Sequence, residues 1–254
     1  SIAVTYSARL LRIPVFLHES DVVPGLSNQQ SAKWAKKVFT SFPKTEYFDP
    51  RKIILTGNPI RKEVLEGDVK VASEMFGLTL SKPIILVIGG SQGAEAINDF
   101  VLRVLNDILS DYEVLHITGG ANYKQVSAES QAIMEKGLDK YYHPIAFLDE
   151  GKIKHALKAA DLVISRAGSG SIFEIAGAGK PSILIPLPSA AGDHQSKNAY
   201  VYAEAGACMV VEQENLAPNF FLENIKLLFL QPEKMEAMKQ AALSFAKPLA
   251  ARAI

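Results

Sequence analysis

Short apolar runs alternate along most of the chain with longer segments in which apolar residues recur at helical spacing. The short runs predict buried strands at residues 14–17, 38–40, 53–55, 83–88, 113–117, 143–147, 162–165, 182–186 and 208–211. The longer segments predict helices at residues 2–11, 28–37, 69–76, 94–109, 122–136, 151–159, from 171, 196–205, 217–229 and 232–246. Alternation of this kind indicates an α/β protein in which helices cover both faces of a parallel sheet.

The regular alternation begins only after the segment 56–61, whose glycine and proline mark a change of direction. We therefore predict a domain boundary near residue 60. Residues 61–254 would form one whole domain, and residues 1–60 the last part of another. Because the chain starts at Ser1 without an initiator methionine and ends abruptly at Ile254, we expect the interior of a longer protein with an incomplete first domain.

Composition and charge narrow the functional classes. Lys and Arg number 27, and Asp and Glu also number 27, so no net basic charge favours a nucleic-acid partner. A hydrophobic content of 48% is typical of a globular protein, yet no apolar run approaches the roughly 18 residues of a membrane-spanning helix. The single cysteine, Cys208, excludes an internal disulfide framework and favours a reducing compartment.

A glycine-rich turn, Gly89–Ala94, follows the predicted strand 83–88 and precedes a helix. Glycine lets the backbone approach a phosphate, and the N–H groups at the start of a helix favour its negative charge. The spacing differs from G-x-G-x-x-G, and the next strand ends in Thr118 and Gly119 without the acid that holds ribose in dinucleotide-binding proteins. These features favour a phosphate site over a nicotinamide site. A turn that only packs helix against sheet is the alternative.

A second polar cluster is predicted within the stretch Asp161–Ala199. A buried strand there runs into a turn of small residues, and the helix after it starts with Ser171 and Glu174 at the spacing of a capping box. Glu174 either caps this helix or accepts hydrogen bonds from two neighbouring ribose hydroxyls, because a carboxylate offers two acceptor oxygens. Gln195 and Asn198 follow the next strand with amides that suit sugar hydroxyls. Polar groups at the ends of two strands predict a pocket for a polyol and a phosphate.

Two further features have both a functional and a structural interpretation. His18 and Glu19 have the residue types of a general acid–base pair, although a solvated loop pair is the more common outcome. The lysines around Trp34, at positions 33, 36 and 37, suit anionic lipid, but a solvated helix face explains so short a run as well. The remaining histidines lack the spacing of a metal site, so no metal is predicted.

Taken together, these motifs resemble those of the MurG family, the bacterial UDP-N-acetylglucosamine transferases of peptidoglycan synthesis. They occur in the family's order over nearly the whole chain, and several together are more specific than any one glycine turn. The motifs are Leu17–Glu19, Val23–Asn28, Gly57–Arg61, Gly89–Ala94 with Asn98, Ser165–Gly168, Glu174, and Asp193–Ala199.

The resemblance implies a GT-B fold, in which two Rossmann-like domains, here with an incomplete first one, enclose the active site in a cleft. It implies an inverting transfer of N-acetylglucosamine from UDP-GlcNAc to the muramyl 4-hydroxyl of lipid I, which gives lipid II. The backbone near Leu148 would hold the uracil, and residues 169–174 the diphosphate and ribose. The implied donor-binding residues are Asp21, Arg61, Ser91, Asn98, Leu148, Ser169, Gly170, Ser171, Glu174 and Gln195.

The resemblance also implies the surroundings of the reaction. The protein would be cytoplasmic and peripheral on the inner face of the cell membrane, where lipid I lies, and it would contact a cell-wall synthesis complex. No cofactor and no tightly held metal is implied, since the N–H groups of a helix start can stabilise the leaving diphosphate.

Two departures from the family pattern affect this interpretation. The family's N-terminal glycine loop, with the histidine often proposed as base, has no counterpart here, which leaves the base unknown and Glu19 and Asp21 as weak candidates. Asp21 also replaces the family's usual asparagine, and an ionised carboxylate accepts but cannot donate a hydrogen bond. We expect the chain to bind UDP-GlcNAc but to turn over poorly. The alternatives are another GT-B UDP-sugar enzyme and a non-catalytic UDP-sugar-binding subunit that needs a partner domain.

Overall fold

A computed structural model describes residues 2–43, 45–89, 94–188 and 191–254, and two parallel sheets organise them. The first sheet contains, in this order, β1 (Phe16–Glu19), β2 (Lys37–Thr40) and β3 (Ile53–Leu55). Helix α2 (Leu26–Ala32) packs against β1 and against α1 (Ile2–Leu10). A small core that includes Val38 and Phe48 lies beneath them.

The second sheet has six parallel strands. They are β4 (Ile84–Ile88), β5 (Glu113–Ile117), β6 (Tyr142–Ile145), β7 (Leu162–Ser165), β8 (Ser182–Leu184) and β9 (Cys208–Val210). Their spatial order is β6-β5-β4-β7-β8-β9, which is the Rossmann strand order, with its reversal between β4 and β7. At such a reversal a crevice opens at the carboxyl ends of the strands, where α/β proteins bind ligands.

Helices cover both faces of the second sheet. They are α3 (Val69–Phe76), α4 (Glu95–Arg103), α5 (Leu105–Asp111), α6 (Tyr123–Ile133), α7 (Glu150–Ala159), α8 (Ser169–Gly177), α9 (His194–Glu204), α10 (Pro218–Phe229), α11 (Pro232–Phe245) and α12 (Ala250–Ala253). Alternate residues of β4 enter two separate cores, since Leu86 packs in one of them with Phe173 and Ile85 packs in the other with Phe100. Both faces of β4 are therefore buried, and every residue of β5, β7 and β8 is buried too, which explains why these central strands are rich in apolar residues.

Several predicted elements are confirmed residue for residue. The strands 113–117 and 162–165 and the helix 69–76 have the bounds that their sequence patterns indicate. Helix α3 begins at Asp68, whose carboxylate accepts a hydrogen bond from Val71 N, and ends at Gly77 with φ of 72°. Glycine has no Cβ to oppose this left-handed conformation, so the helix stops there.

Several predictions of element bounds are wrong. The single helix predicted over 94–109 is two helices, α4 and α5, which meet at Val104. The helix predicted over 28–37 ends at Ala32. Lys37 pairs with Phe16 in the first sheet, so tertiary pairing overrides the local helical pattern. The strand predicted at 14–17 begins at Phe16 and includes Glu19.

The lysines around Trp34 are exposed at Lys33 and Lys36, as a solvated face predicts, but the three lysines do not share one helix. Lys37 lies in β2, and its ammonium donates to Arg51 O at 3.1 Å. Trp34 packs edge-on against Tyr6 of α1, with 6.0 Å between ring centroids. Among the described residues, no helix has both the length and the apolar character needed to cross a bilayer.

Aromatic side chains join the first sheet to the rest of the molecule. Phe42, which follows β2, packs edge-on against Phe173 of α8, with 5.3 Å between ring centroids. Phe42 also packs against Phe245 at the end of α11, at 5.9 Å. The first sheet therefore lies against α8, the helix that starts at the strand-order reversal of the second sheet.

Candidate functional site

The start of α8 lies at the carboxyl end of β7, beside the strand-order reversal. The helix begins at Ser169, with Gly168 as its N-cap and no side-chain hydrogen bond to the cap. Ser171 is therefore the third helical residue, and the predicted capping box of Ser171 and Glu174 is wrong. Because no side chain caps the first turn, its N–H groups and its partial positive charge can bind an anion.

Glu174 forms an ion pair with Arg61, a residue 113 positions away. Arg61 Nε lies 2.7 Å and Nη2 lies 2.6 Å from Glu174 Oε1. The guanidinium also reaches Glu150 Oε1 at 3.3 Å, at the start of α7. Both close contacts use Oε1, so Oε2 of Glu174 has no partner among the described residues and can accept hydrogen bonds from a ligand.

A cavity of about 270 Å³ opens beside this ion pair. Its polar wall consists of Arg61, Ser171 and Glu174, and its other walls are apolar. The apolar lining comes from the ends of β4, β5 and β6 and from α7 and α8: Ile88, Ile117, Phe147, Leu148, Ile153, Leu157 and Ile175. Phe147 is 63% exposed at the edge of the cavity. The cavity suits a flat ring with an attached polyol, since a ring needs apolar walls and hydroxyls need the carboxylate.

Two buried side chains hold the turn that precedes α8. Arg166 donates through Nη1 to Ile185 O (3.2 Å) and Pro186 O (3.1 Å), and through Nη2 to Gln213 Oε1 (2.6 Å). Burial lowers the pKa of Arg166. Asn198 of α9 donates to Ala167 O at 3.3 Å from the other side.

The two predicted base candidates lie at the end of β1 and in the turn after it. Glu19 is only 5% exposed, and its two oxygens accept from Asp21 N (3.1 Å) and Asn28 Nδ2 (2.9 Å). The expected solvated loop pair is therefore wrong, and these hydrogen bonds disfavour Glu19 as a base. Asp21 Oδ1 accepts from Asn198 Nδ2 at 2.7 Å and Oδ2 accepts from Ser20 Oγ at 3.1 Å.

Asn98 differs from the other predicted donor ligands. It is 1% exposed, and its Nδ2 donates to Thr118 O at 2.9 Å. Its Oδ1 pairs with His116 Nε2 at 3.0 Å, and His116 Nδ1 pairs with Tyr142 Oη at 2.8 Å. Burial lowers the pKa of His116 to about 3, so the ring is neutral. The structure thus places Asn98 in a buried network outside the cavity lining.

The other predicted residues that the structure describes follow β6, β7 and β8 along the chain. Gln195 Oε1 accepts from Leu187 N at 3.0 Å. Ser169 and Gly170 form the first turn of α8, and Leu148 lines the cavity. Ser91 lies outside the described residues. The described residues contain no group of three or more His, Cys, Asp or Glu side chains arranged to hold a metal ion.

Comparison with known proteins assigns most of this region to one family. The sequence model of the glycosyltransferase family 28 C-terminal domain matches residues 84–253. The chain is 32% identical over 253 residues to the UDP-N-acetylglucosamine–N-acetylmuramyl-(pentapeptide) pyrophosphoryl-undecaprenol N-acetylglucosamine transferase of Halalkalibacterium halodurans, covering 98% of this chain and 68% of that protein. It is 37% identical over 231 residues to the protein of the same name from Clostridium kluyveri, covering 90% of this chain and 62% of that protein.

A solved structure supports the same assignment. The fold superposes on the crystal structure of Acinetobacter baumannii MurG with a TM-score of 0.76 and 28% sequence identity, covering 98% of this chain and 67% of that one. The chain thus spans 62% to 68% of the length of these relatives.

Proposed function

Since the chain belongs to the MurG family, within glycosyltransferase family 28, we propose that it carries the donor site of an N-acetylglucosamine transfer from UDP-GlcNAc to lipid I. Its fold is GT-B. The observation that carries the proposal is the position of Glu174. Arg61 holds one of its carboxylate oxygens, and the residue lines a cavity beside an uncapped helix start.

The cavity and helix start suggest a placement for UDP-GlcNAc. The uracil would enter the apolar cavity next to the backbone of Leu148, with Phe147 at its edge. The ribose hydroxyls would donate to Glu174, and the diphosphate would accept hydrogen bonds from the first turn of α8, at Ser169 and Gly170. Ser91, Gln195 and Asn98 remain predicted contacts or supports of the same donor.

The reaction would be an inverting displacement at the anomeric carbon. The muramyl 4-hydroxyl oxygen of lipid I forms a bond to this carbon and gives up its proton to a base, while the bond to the β-phosphate oxygen breaks. The electron pair of that bond leaves with UDP, whose diphosphate gains negative charge. The N–H groups of α8 stabilise this charge without reorganising, because the fold has already oriented them.

The acceptor determines where the protein would act. A pyrophosphoryl-undecaprenol acceptor, which the names of the relatives specify, lies in a membrane, so we propose a peripheral position on its cytoplasmic face. Exposed apolar side chains near the first sheet support this position, among them Leu10, Leu11 and Ile13. A cell-wall synthesis complex remains a proposed partner. We also propose a domain boundary near residue 60, with the donor domain at 61–254.

Calorimetric titration with UDP-GlcNAc tests the donor site. We expect the chain to bind UDP-GlcNAc and UDP, and Glu174→Ala to abolish measurable binding while the far-UV circular dichroism spectrum is unchanged. A matched control is Glu236→Ala on the exposed surface of α11, which we expect to bind normally. A folded chain that binds neither nucleotide would contradict the proposal. Transfer to a lipid I analogue would then separate an enzyme from a non-catalytic UDP-sugar-binding subunit.

A further inference from the structure

Asn198 of α9 connects two turns that are far apart in the sequence. The side chain is fully buried, at 0% exposed. Its Nδ2 donates to Asp21 Oδ1 at 2.7 Å and to Ala167 O at 3.3 Å, and its Oδ1 accepts from Val22 N at 2.9 Å. One amide thus joins the turn after β1 to the turn before α8.

The chemistry of position 198 fits these partners closely. An amide offers two N–H donors and one carbonyl acceptor, and the three hydrogen bonds use all of these groups. An aspartate at 198 would place an acceptor against the Asp21 carboxylate, and a leucine would leave Val22 N and Ala167 O unpaired. A carboxylate acceptor also strengthens the bond from Asn198 relative to a neutral acceptor.

The turn that Asn198 holds leads directly into the proposed diphosphate site. Ala167 lies two residues before Ser169, where α8 begins. Arg166 fixes the same turn from the opposite side through Ile185 O and Pro186 O. The conformation of this turn determines where the first N–H groups of α8 point.

We propose that Asp21 and Asn198 form a clasp that orients the first turn of α8 for the donor diphosphate. Asp21 is then a positioning residue that acts through Asn198, and not a direct ligand of the donor. The identity of the ligand as the donor diphosphate rests on the proposed function. The hydrogen bonds of the clasp form in the protein without any ligand. A site that is ordered before binding has less ordering entropy to lose when the ligand arrives.

A double-mutant cycle tests the clasp. The variants are Asp21→Ala, Asn198→Ala and the double variant, and UDP affinity is measured by calorimetry well below each melting temperature. We expect Asp21→Ala to bind UDP about tenfold more weakly, which is the effect of losing one charge-assisted hydrogen bond. Asn198→Ala should bind at least as weakly, because it also loses the bonds to Ala167 O and Val22 N. The double variant should bind little more weakly than Asn198→Ala, because the bond between Asp21 and Asn198 is lost once. Additive losses, or unchanged affinity, would overturn the clasp.

Conservative variants separate positioning from simple stability. Asp21→Asn keeps an acceptor oxygen for Asn198 and should lose less affinity than Asp21→Ala. Asn198→Asp should lose the most, because it places two carboxylates together, and adding Asp21→Asn to it should restore part of the loss. The control is Asn224→Ala on α10, where the amide donates to Phe220 O (2.8 Å) and to no other described residue, and affinity should not change. Reduced stability with wild-type UDP affinity in Asn198→Ala would contradict a positioning role.

Hydrogen exchange without nucleotide tests the clasp independently of the donor. The Val22 amide donates to Asn198, and the Ile172 amide donates to Gly168 O at 3.0 Å in the first turn of α8. We expect both amides to exchange faster in Asn198→Ala than in the wild type or in Asn224→Ala. If the wild type binds no UDP, the proposed function fails and this arm still decides the clasp. Unchanged exchange at both amides would overturn it.

Discussion

Replacing Glu174 by glutamine tests the assignment of the ribose site. The variant keeps the size of the side chain and one acceptor oxygen, but it removes the negative charge and one of the two acceptors. Arg61 then loses its charged partner at 2.6 Å, although the amide oxygen can still accept from it, and it keeps the carboxylate of Glu150 at 3.3 Å. The fold should tolerate this change, because Arg61 and Glu174 are both partly exposed and such ion pairs contribute at most about 1 kcal/mol.

The expected loss follows from the hydrogen bonds to the ribose. A hydrogen bond to a charged group contributes about 1.5 to 3 kcal/mol. Because the Glu174 side chain is 21% exposed, we take the lower part of this range, about 2 kcal/mol. A loss of that size weakens UDP binding by a factor of about 30.

The assay compares UDP with 2′,3′-dideoxy-UDP by calorimetry on the wild type and on Glu174→Gln. The wild type should bind the dideoxy nucleotide about 30-fold more weakly than UDP, since the hydroxyls that meet the carboxylate are missing. Glu174→Gln should discriminate little between the two. If removal of the ribose hydroxyls lowers the affinity of the variant and of the wild type by the same factor, Glu174 does not bind the ribose and the reasoning is refuted.

Three further predictions concern the cavity and the core. Ile117→Trp, at the end of β5, should fill the cavity and weaken UDP binding more than tenfold in calorimetry. Overpacking should also lower the free energy of unfolding by about 1 to 3 kcal/mol. Normal affinity would show that the nucleotide binds elsewhere. Burial lowers the pKa of His116 from 6.5 to about 3, so between pH 6.5 and pH 3 the unfolded chain binds more protons than the folded one. The free energy of unfolding should therefore decrease as the pH is lowered below 6.5. Between pH 7 and pH 5 the free energy of unfolding, measured in urea, should fall by about 2 kcal/mol less in His116→Gln than in the wild type. Equal pH profiles would contradict a buried neutral ring. Burial raises the pKa of the Cys208 thiol to about 12, so a thiol reagent at pH 8 should modify it only on unfolding in urea, and rapid labelling of the native protein would contradict its burial.

The sequence predicted the second sheet well because its strands need no partner to be recognised. Runs such as 113–117 and 162–165 carry apolar residues on both faces, and this pattern indicates a strand wherever the sheet lies. The end of α3 could also be predicted from local sequence, since Gly77 can adopt a positive φ that other residues avoid. Predictions of this kind depend on a few consecutive residues.

The parts that the sequence did not predict depend on distant partners. Ser171 and Glu174 have the spacing of a capping box, but Glu174 turns to Arg61, a residue 113 positions away. Glu19 has the sequence context of a solvated loop, but Asn28 and the backbone of Asp21 surround its carboxylate. A local pattern carries no information about such contacts, so several residues of the site could be predicted from the sequence but their partners could not.

The most direct test is a crystal structure of the chain with bound UDP. The account predicts uracil in the cavity beside the Leu148 backbone, the ribose hydroxyls within hydrogen-bonding distance of Glu174, and the diphosphate at the first turn of α8. UDP bound elsewhere, with this cavity empty and Glu174 paired only with Arg61, would contradict it.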